Sequence, residues 1–152
     1  MNPLPRILLA EDSSEDAELV LEALAEYRIA NTVLHVKDGE EALDYLYRRG
    51  AFANYPPIQP AVVLLDLKMP KVDGTEVIKQ LKNDPELKRI PVVVMTSSRE
   101  ERDLVNSYNL GANAYVVKPL NFHEFVDAVK QLGAFWAVLN EPPPEPSRQP
   151  KI

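Results

Sequence analysis

The sequence predicts an α/β fold in which a parallel sheet carries helices on both faces. Short apolar runs alternate with segments whose apolar residues recur at helical spacing, and four of the five runs are almost uninterrupted. Uninterrupted runs are typical of strands buried on both faces, and the alternation of strand and helix implies right-handed crossovers between parallel strands. A chain of 152 residues with 45% hydrophobic side chains is expected to form one domain.

The elements follow one another as five βα units. The predicted strands are the runs 7–10, 33–36, 61–65, 92–95 and 114–117. The helical patterns comprise Ala17, Leu21 and Leu24, then Ala42 and Leu46, then Val77, Ile78 and Leu81, then Leu104, Val105 and Leu110, and finally Phe122, Phe125, Val129 and Leu132. Because Asp73-Gly74 precedes the third pattern and Asp84-Pro85 follows it, that helix is expected to begin and end at these pairs.

Two segments lie outside this repeating pattern. Residues 50–60 contain Pro56, Pro57 and Pro60 and must connect the second helix to the third strand, and loops of this length are often functional or variable. Five of the last twelve residues are proline, which excludes a helix there. We therefore expect a folded domain over residues 1–140, with an extended C-terminal helix, and a flexible proline-rich tail over residues 141–152.

Composition excludes several classes of function. The net charge of -6 opposes binding to nucleic acid or to an anionic membrane. The absence of Cys excludes disulfides, zinc–thiolate sites and a thiol nucleophile, and with only His35 and His123 any metal is expected to be bound mainly by oxygen. The N-terminus lacks the apolar core of a signal peptide, and no apolar run reaches the ~18 residues of a membrane span. A cytoplasmic protein is expected.

Groups of complementary chemistry follow four of the predicted strands. They are Glu11 and Asp12, Asp66, Thr96 and Ser97, and Lys118 and Pro119. Because the carboxyl ends of parallel strands form the ligand-binding edge of an open sheet, these side chains are expected to meet. Three carboxylates without nitrogen or sulfur ligands suit a hard cation such as Mg²⁺. A divalent ion, a lysine and a hydroxyl together can bind the oxygens of a phosphoryl group.

Each of these residues also has a simpler explanation when it is taken alone. Asp12 or Asp73 would cap the helix that follows it. Thr96 would be a strand-end hydroxyl, and Lys118 would be a surface charge. Capping alone does not account for complementary groups at four strand ends, so the set favours a functional site.

The histidines and the aromatic residues of the last helix are expected to be structural. His35 is predicted to lie in a strand remote from the carboxylates, and His123 is predicted to be solvated at the start of the last helix. Phe122 and Phe125 have helical spacing and are expected to pack in the core.

Four segments resemble one family of signalling domains. They are ILLAED at 7–12, LLDLKMP at 64–70 followed by DG at 73–74, PVVVMT at 91–96, and GANAYVVKP at 111–119. In this order and spacing they resemble the receiver domain of two-component response regulators, over about residues 5 to 133. The resemblance implies a flavodoxin-like doubly wound sheet with strand order 2-1-3-4-5.

The resemblance also implies a chemistry for the carboxylates. Asp66 would be the phosphoacceptor that attacks the phosphohistidine of a sensor histidine kinase. Asp12 would bind Mg²⁺ directly and Glu11 through water, while Asp66 and the backbone carbonyl of Lys68 would complete the protein ligands. The protein would thus be a phosphoacceptor with intrinsic, Mg²⁺-dependent self-phosphorylation and dephosphorylation, and not a turnover enzyme.

A conformational switch is implied by the same resemblance. Lys118 would pair with the phosphoryl oxygens, aimed inward by a cis peptide bond at Pro119. Thr96 would turn to hydrogen-bond the phosphoryl group, and Tyr115 would follow it from an exposed to a buried position. Two further positions, Lys68 and Ser98, would flank the phosphoryl group and tune how long it survives. A solvated Lys68 with no effect on hydrolysis is the alternative.

The rest of the chain suggests how the domain would act. No output domain is expected after Asn140, so the switch is expected to act through its own surface. Phe135 and Trp136 lie in an apolar extension that is expected to pack against a second copy of the chain. The segment 45–50, the insertion at 50–60 and the Phe-Trp extension resemble the response regulators paired with bacterial and cyanobacterial phytochromes. That resemblance implies a light-sensing histidine kinase as partner.

Three other functions stay open at the level of sequence. A phosphatase of the haloacid dehalogenase type also uses a strand-end Asp, but it needs a second Asp where this chain has Lys68. A flavodoxin shares the fold, but Glu11 and Asp12 would repel the phosphate that its first loop binds. A receiver that binds its partner without phosphorylation is the third alternative.

Overall fold

The centre of the molecule is a parallel sheet of five strands. The computed structural model describes residues 6–25, 33–67, 69, 71–96, 111–118 and 122–131. The strands are β1 (Ile7–Ala10), β2 (Val33–Val36), β3 (Val62–Asp66), β4 (Val92–Thr96) and β5 (Ala114–Val117). Their order is β2-β1-β3-β4-β5 and every neighbouring pair is parallel, which confirms the predicted fold class and strand order.

Helices connect the strands and cover both faces of the sheet. The described helices are α1 (Ser14–Ala25), α2 (Gly39–Tyr47), α3 (Gly74–Asn83) and α4 (Phe122–Gln131). The helix predicted around Leu104, Val105 and Leu110 lies outside the described residues, as do Phe135, Trp136 and the tail. None of the described helices combines the length and the apolar character that a membrane crossing requires.

The core consists of two layers because successive strand residues point to opposite faces. Leu8 and Ala10 of β1 face a layer shared with α2 and α3. Ile7 and Leu9 face the other layer, where α1 packs and where α4 contributes the buried Phe125. Residues 7–10 are therefore all fully buried, which explains why the strand is an unbroken apolar run.

Two strands end later than the sequence pattern predicts. The apolar run at 61–65 suggests that Asp66 follows the third strand, and the run at 92–95 suggests the same for Thr96. In the structure Asp66 pairs with Met95 and Thr96 pairs with Val117, so both polar residues are the last residues of their strands. A pattern of apolar residues does not show that a polar residue continues the hydrogen-bonded strand.

The connection between α2 and β3 is folded against the end of α2. Arg48 lies in the left-handed region at φ 53° and donates hydrogen bonds to the carbonyl oxygens of Pro56 and Ile58 at 2.9 and 2.7 Å. The rings of Tyr45, Phe52 and Tyr55 contact one another edge to face, with centroids 5.2 to 5.9 Å apart. The proline-bearing segment thus packs against the C-terminal end of α2.

Strand order defines the position of the ligand-binding edge. The chain adds β2 on one side of β1 and β3 on the other, so the connections leave β1 and β3 in opposite directions. Ligands bind beyond the carboxyl ends of such a pair of strands. Glu11, Asp12 and Asp66 occupy this position.

Candidate functional site

Three carboxylates come together at the carboxyl ends of β1 and β3. The Ala10–Leu65 pairing places Glu11, the next residue of the chain, beside Asp66. Ligand oxygens of Glu11, Asp12 and Asp66 all lie within 4.8 Å of one another. Glu11 is fully buried, Asp66 is nearly so, and Asp12 is exposed. The cluster therefore has a buried floor and an open side.

Lys118 supplies the positive charge of this site. Its backbone N–H donates to the carbonyl oxygen of Thr96 at 2.8 Å, so the pairing of β4 with β5 brings it to the same edge. The Nζ atom lies 2.9 Å from Glu11 Oε2 and 3.1 Å from Asp66 Oδ2. Such short, charge-assisted contacts hold the ammonium between the two buried carboxylates.

A fourth carboxylate, which the sequence analysis missed, also contacts the lysine. Asp16 Oδ2 lies 3.2 Å from Lys118 Nζ, across 102 positions of the chain. Asp16 belongs to the first turn of α1, which starts at this edge of the sheet. That position near the start of the first helix is the signal in the sequence from which Asp16 could have been identified.

Burial changes the acid–base properties of both Glu11 and Lys118. Desolvation raises the pKa of Glu11 from 4.5 to about 7, and the neighbouring Lys118 opposes this increase only in part. Burial alone would lower the pKa of Lys118, but hydrogen bonds and charge from Glu11 and Asp66 raise it above its ordinary value. Lys118 is therefore a cation at neutral pH.

Thr96 adds a hydroxyl group at the end of β4. The residue is fully buried, and among the described residues its Oγ1 atom has no hydrogen-bond partner. An unpaired buried hydroxyl is unfavourable, and it can hydrogen-bond to an oxygen that enters the site. Tyr115 in β5 pairs with Val94 and is partly buried against the α2–α3 layer.

Of two acidic residues predicted as possible helix caps, Asp73 caps its helix and Asp12 does not. Ser13 Oγ accepts from the N–H of Asp16 at 3.2 Å, so Ser13 caps α1 and Asp12 does not. Asp73 does cap its helix, because its side chain accepts from the N–H of Glu76 at 3.1 Å. The capping explanation is thus wrong for Asp12 and correct for Asp73.

Two glycines allow the loop after Asp66 to pack closely against the N-termini of α2 and α3. A Cβ atom on Gly74 would lie 2.5 Å from the backbone oxygen of Asp66 and 2.7 Å from Leu67 Cα. A Cβ atom on Gly39 would lie 1.8 Å from the backbone oxygen of Val72. The N-termini of α2 and α3 therefore approach the loop at distances that only glycine allows.

The predicted position of His35 is wrong. Its Nε2 atom lies 2.7 Å from the backbone carbonyl oxygen of Glu11, so the ring contacts the site instead of lying remote from it. The expected strand order already put β2 beside β1, but it did not show that the ring of His35 reaches the backbone at the end of β1. His123 is exposed and Phe125 is buried, as predicted.

Some predicted site residues lie outside the described residues, namely Lys68, Ser97, Ser98 and Pro119. The donor set that is described consists of carboxylate oxygens, which fits a hard divalent cation.

The comparisons with known proteins decide the family. A model of the response regulator receiver domain matches residues 7–130. The chain belongs to this family. The match favours a receiver over the flavodoxin and the haloacid dehalogenase phosphatase considered above.

Individual relatives of this receiver are similar over most of its length. The response regulator Rcp1 of Synechocystis sp. is 42% identical over 135 residues, which cover 89% of this chain and 90% of that protein. The bacteriophytochrome response regulator AtBRR is 56% identical with a TM-score of 0.84, covering 91% of this chain and 99% of that one. The Mn²⁺-bound form of Rcp1 is 38% identical with a TM-score of 0.67, covering 93% and 99%. The receiver is thus homologous to phytochrome response regulators.

Proposed function

We propose that this receiver accepts a phosphoryl group on Asp66 from a sensor histidine kinase. The observation that carries the proposal is the position of Asp66, whose Oδ2 atom lies 3.1 Å from Lys118 Nζ within the carboxylate cluster. A nucleophile needs a neighbouring cation to receive a phosphoryl group, because the oxygens of that group are negatively charged.

The transfer forms one bond and breaks one bond. A carboxylate oxygen of Asp66 attacks the phosphorus of the phosphohistidine, and the P–N bond breaks as the O–P bond forms. The imidazole nitrogen keeps the electron pair of the broken bond. Lys118 pairs with a phosphoryl oxygen, and the raised pKa of Lys118 keeps its charge available. The Oγ1 hydroxyl of Thr96 donates a hydrogen bond to another phosphoryl oxygen.

Mg²⁺ is the cofactor that we propose for this site. Asp12, Asp66 and the backbone carbonyl of Lys68 would hold the ion, with Glu11 contributing through water. Bound there, it would neutralise charge on the phosphoryl oxygens. The all-oxygen cluster supports this assignment, and Rcp1, a relative, has a Mn²⁺-bound form.

The signal would be carried by a shift of Thr96 and Tyr115. When Thr96 turns toward the phosphoryl group, it vacates space behind β4 that Tyr115 can occupy. The partly buried position of Tyr115 one strand away supports this step. Phosphorylation would thereby change the surface around β5.

Intact mass after incubation with Mg²⁺ and acetyl phosphate tests the phosphoacceptor. We expect one added phosphate on the wild type and none on Asp66→Asn. The control Asp44→Asn removes a carboxylate that pairs with Arg49 far from the site, and it should behave as the wild type. An unmodified wild type would refute the proposal. It would instead support a receiver that binds its partner without phosphorylation.

We further propose that the kinase is a phytochrome and that the receiver works in the cytoplasm. Similarity to the bacteriophytochrome response regulators supports the choice of kinase. Phosphotransfer rates from a purified bacteriophytochrome kinase and from an unrelated histidine kinase would test it. Equal kcat/KM for the two kinases would contradict the proposal.

Two proposals concern residues outside the described part. Lys68 and Ser98 would tune the lifetime of the aspartyl phosphate, so the half-life should differ between the wild type and Lys68→Asn. Phe135 and Trp136 would join two copies of the chain, so replacing both by Ser should shift the solution mass from dimer to monomer. An unchanged half-life or an unchanged mass would contradict the respective proposal.

A further inference from the structure

We propose that Asp38 is a positioning residue for the 67–73 loop, which follows Asp66 and contains the proposed metal ligand at the backbone of Lys68. The inference rests on the proposed function, because it concerns the conformation of this loop before Mg²⁺ binds. Asp38 would act through its ion pair with Lys71.

The 67–73 loop is closed at its base and packed on one side of the sheet. The N–H of Gly74 donates to the carbonyl oxygen of Leu67 at 2.8 Å, which joins the two ends of the loop. Leu67 and Met69 are buried in the layer shared with α2 and α3, and Val72 packs against that layer. The loop therefore lies on the side of the sheet where α2 begins.

The start of α2 contacts the second half of this loop. Asp38 Oδ2 lies 3.7 Å from Lys71 Nζ, and Glu40 Oε2 lies 3.8 Å from the same nitrogen. Between these carboxylates, Gly39 is so close to the loop that a Cβ atom would lie 1.8 Å from the backbone oxygen of Val72. An ion pair and a close backbone contact thus join the loop to α2.

The backbone of Lys71 has a conformation that other contacts must support. Its φ angle is 66°, in the left-handed region that is unfavourable for a lysine. Residues persist in such conformations where their surroundings hold them there. The ion pairs of Lys71 with Asp38 and Glu40 therefore favour a loop conformation that its backbone alone disfavours.

Asp38 is better suited than Glu40 to hold the lysine. The side chain of Asp38 is 9% exposed and that of Glu40 is 56% exposed. Asp38 Oδ1 accepts from the N–H of Glu41 at 2.8 Å as the N-cap of α2, which fixes the carboxylate and directs Oδ2 to Lys71. A carboxylate that is already fixed loses little side-chain entropy when it forms an ion pair.

The strand that precedes Asp38 contacts the other metal-binding segment. The carbonyl oxygen of Val36 accepts from the N–H of Glu11 at 3.0 Å, directly before Asp12. The junction of β2 and α2 therefore contacts both segments that carry proposed metal ligands. A contact at Asp38 fixes the 67–73 loop relative to Glu11 and Asp12.

The affinity for Mg²⁺, measured by titration with NMR of the backbone amides, tests the proposal. A looser loop occupies the binding-competent conformation for a smaller fraction of the time, which weakens the apparent affinity. We expect Asp38→Asn to bind Mg²⁺ about two- to threefold more weakly, the range of an exposed ion pair. Because Asn is as good an N-cap as Asp, α2 keeps its cap. The control Glu41→Gln removes the same charge from the first turn of α2 and should weaken binding less.

Replacing the lysine separates positioning from a general charge effect. Loss of a cation near the site would by itself strengthen the binding of Mg²⁺, whereas loss of the ion pair weakens it. We expect Lys71→Met to bind Mg²⁺ about two- to threefold more weakly and Lys71→Arg to stay near the wild type. Asp38→Asn should have no further effect once Lys71 is Met. Unchanged or tighter binding by Lys71→Met would overturn the proposal, as would an equal effect of Asp38→Asn in both backgrounds.

Hydrogen exchange of the Gly74 amide is a second readout, and it needs no metal. This N–H closes the loop at Leu67, so without Mg²⁺ it should exchange about two- to threefold faster in Asp38→Asn and in Lys71→Met. Exchange at the rate of the wild type in both variants would contradict the positioning role. If the wild type shows no binding of Mg²⁺ that depends on Asp66, the proposed function fails instead, and the exchange of Gly74 still decides the role of Asp38.

Discussion

The imidazole of His35 and the backbone of Glu11 are joined by a hydrogen bond of 2.7 Å. Because the carbonyl oxygen can only accept, the Nε2 atom of His35 must carry the hydrogen. The backbone N–H of Glu11 donates to the carbonyl oxygen of Val36 at 3.0 Å. The neighbouring strand β2 therefore binds both backbone polar groups of Glu11. This fixes the backbone from which Asp12, and Glu11 through water, would bind the metal.

We expect His35→Ala to weaken Mg²⁺ binding about three- to fivefold, because one net hydrogen bond of about 1 kcal/mol no longer orients Glu11 and Asp12. Titration with Mg²⁺, followed by NMR of the backbone amides, measures the affinity. Lys37→Ala, at the exposed next-but-one position, is the control and should bind as the wild type. Equal affinities for His35→Ala and the wild type would contradict the prediction.

We expect Thr96→Val to stabilise the unphosphorylated protein and to destabilise the phosphorylated form. Valine removes a buried hydroxyl that has no partner among the described residues, so the free energy of unfolding should rise by about 1 kcal/mol. The same change removes the donor proposed for the phosphoryl group, so the phosphoryl mimic beryllofluoride should bind more weakly. Urea unfolding and ¹⁹F NMR measure the two effects. A loss of stability in Thr96→Val would show that the hydroxyl is satisfied in the resting protein.

Gly74→Ala should disturb the loop that follows Asp66. The new methyl group would lie 2.5 Å from the backbone oxygen of Asp66, so α3 or the loop must move. We expect the free energy of unfolding to fall by about 1–3 kcal/mol and phosphorylation to slow. The control Gly50→Ala also strains the backbone, at φ 59°, but lies away from Asp66. It should cost stability without slowing phosphorylation, and an equal slowing in both variants would contradict the interpretation.

Asp73→Ala should destabilise the protein in a pH-dependent way. The loss of the cap costs about 1 kcal/mol at neutral pH, whereas Asp73→Asn keeps a good cap and should cost little. Hydrogen bonds from Thr75 and from the backbone lower the pKa of Asp73 from 3.8, so the ionised form is favoured in the folded state. This stability is present above pH 3.8 and is lost as the pH falls through the lowered value. Urea unfolding of the three proteins from pH 7 downward should show the difference shrinking in acid.

Much of the fold was predictable because the segments that are buried consist of apolar residues. Strand β1 is apolar at every position since both of its faces are covered, and the boundaries of β1, β2 and β5 agree with the prediction. The ends of β3 and β4 were missed by one residue. Asp66 and Thr96 continue the backbone ladder although they are polar, and a pattern of hydropathy cannot detect this.

The carboxylate site was predictable for a different reason. Residues at the carboxyl ends of parallel strands must share one edge, so Glu11, Asp12 and Asp66 could be brought together from their order alone. His35 and Asp16 could not be placed in this way. Their contacts depend on how far a side chain reaches from an edge strand or from a helix turn, and no local pattern records that distance.

The doubly wound sheet, the oxygen-rich edge and the resemblance to a receiver could all be predicted from the amino-acid sequence, because periodicity and strand-end chemistry are local properties. Which groups share the lysine depends on the three-dimensional packing. Asp16 and Lys118 are 102 residues apart and meet because α1 packs beside the end of β5. Their contact is set by the packing of whole elements. The same packing buries Glu11 and leaves the hydroxyl of Thr96 without a partner among the described residues.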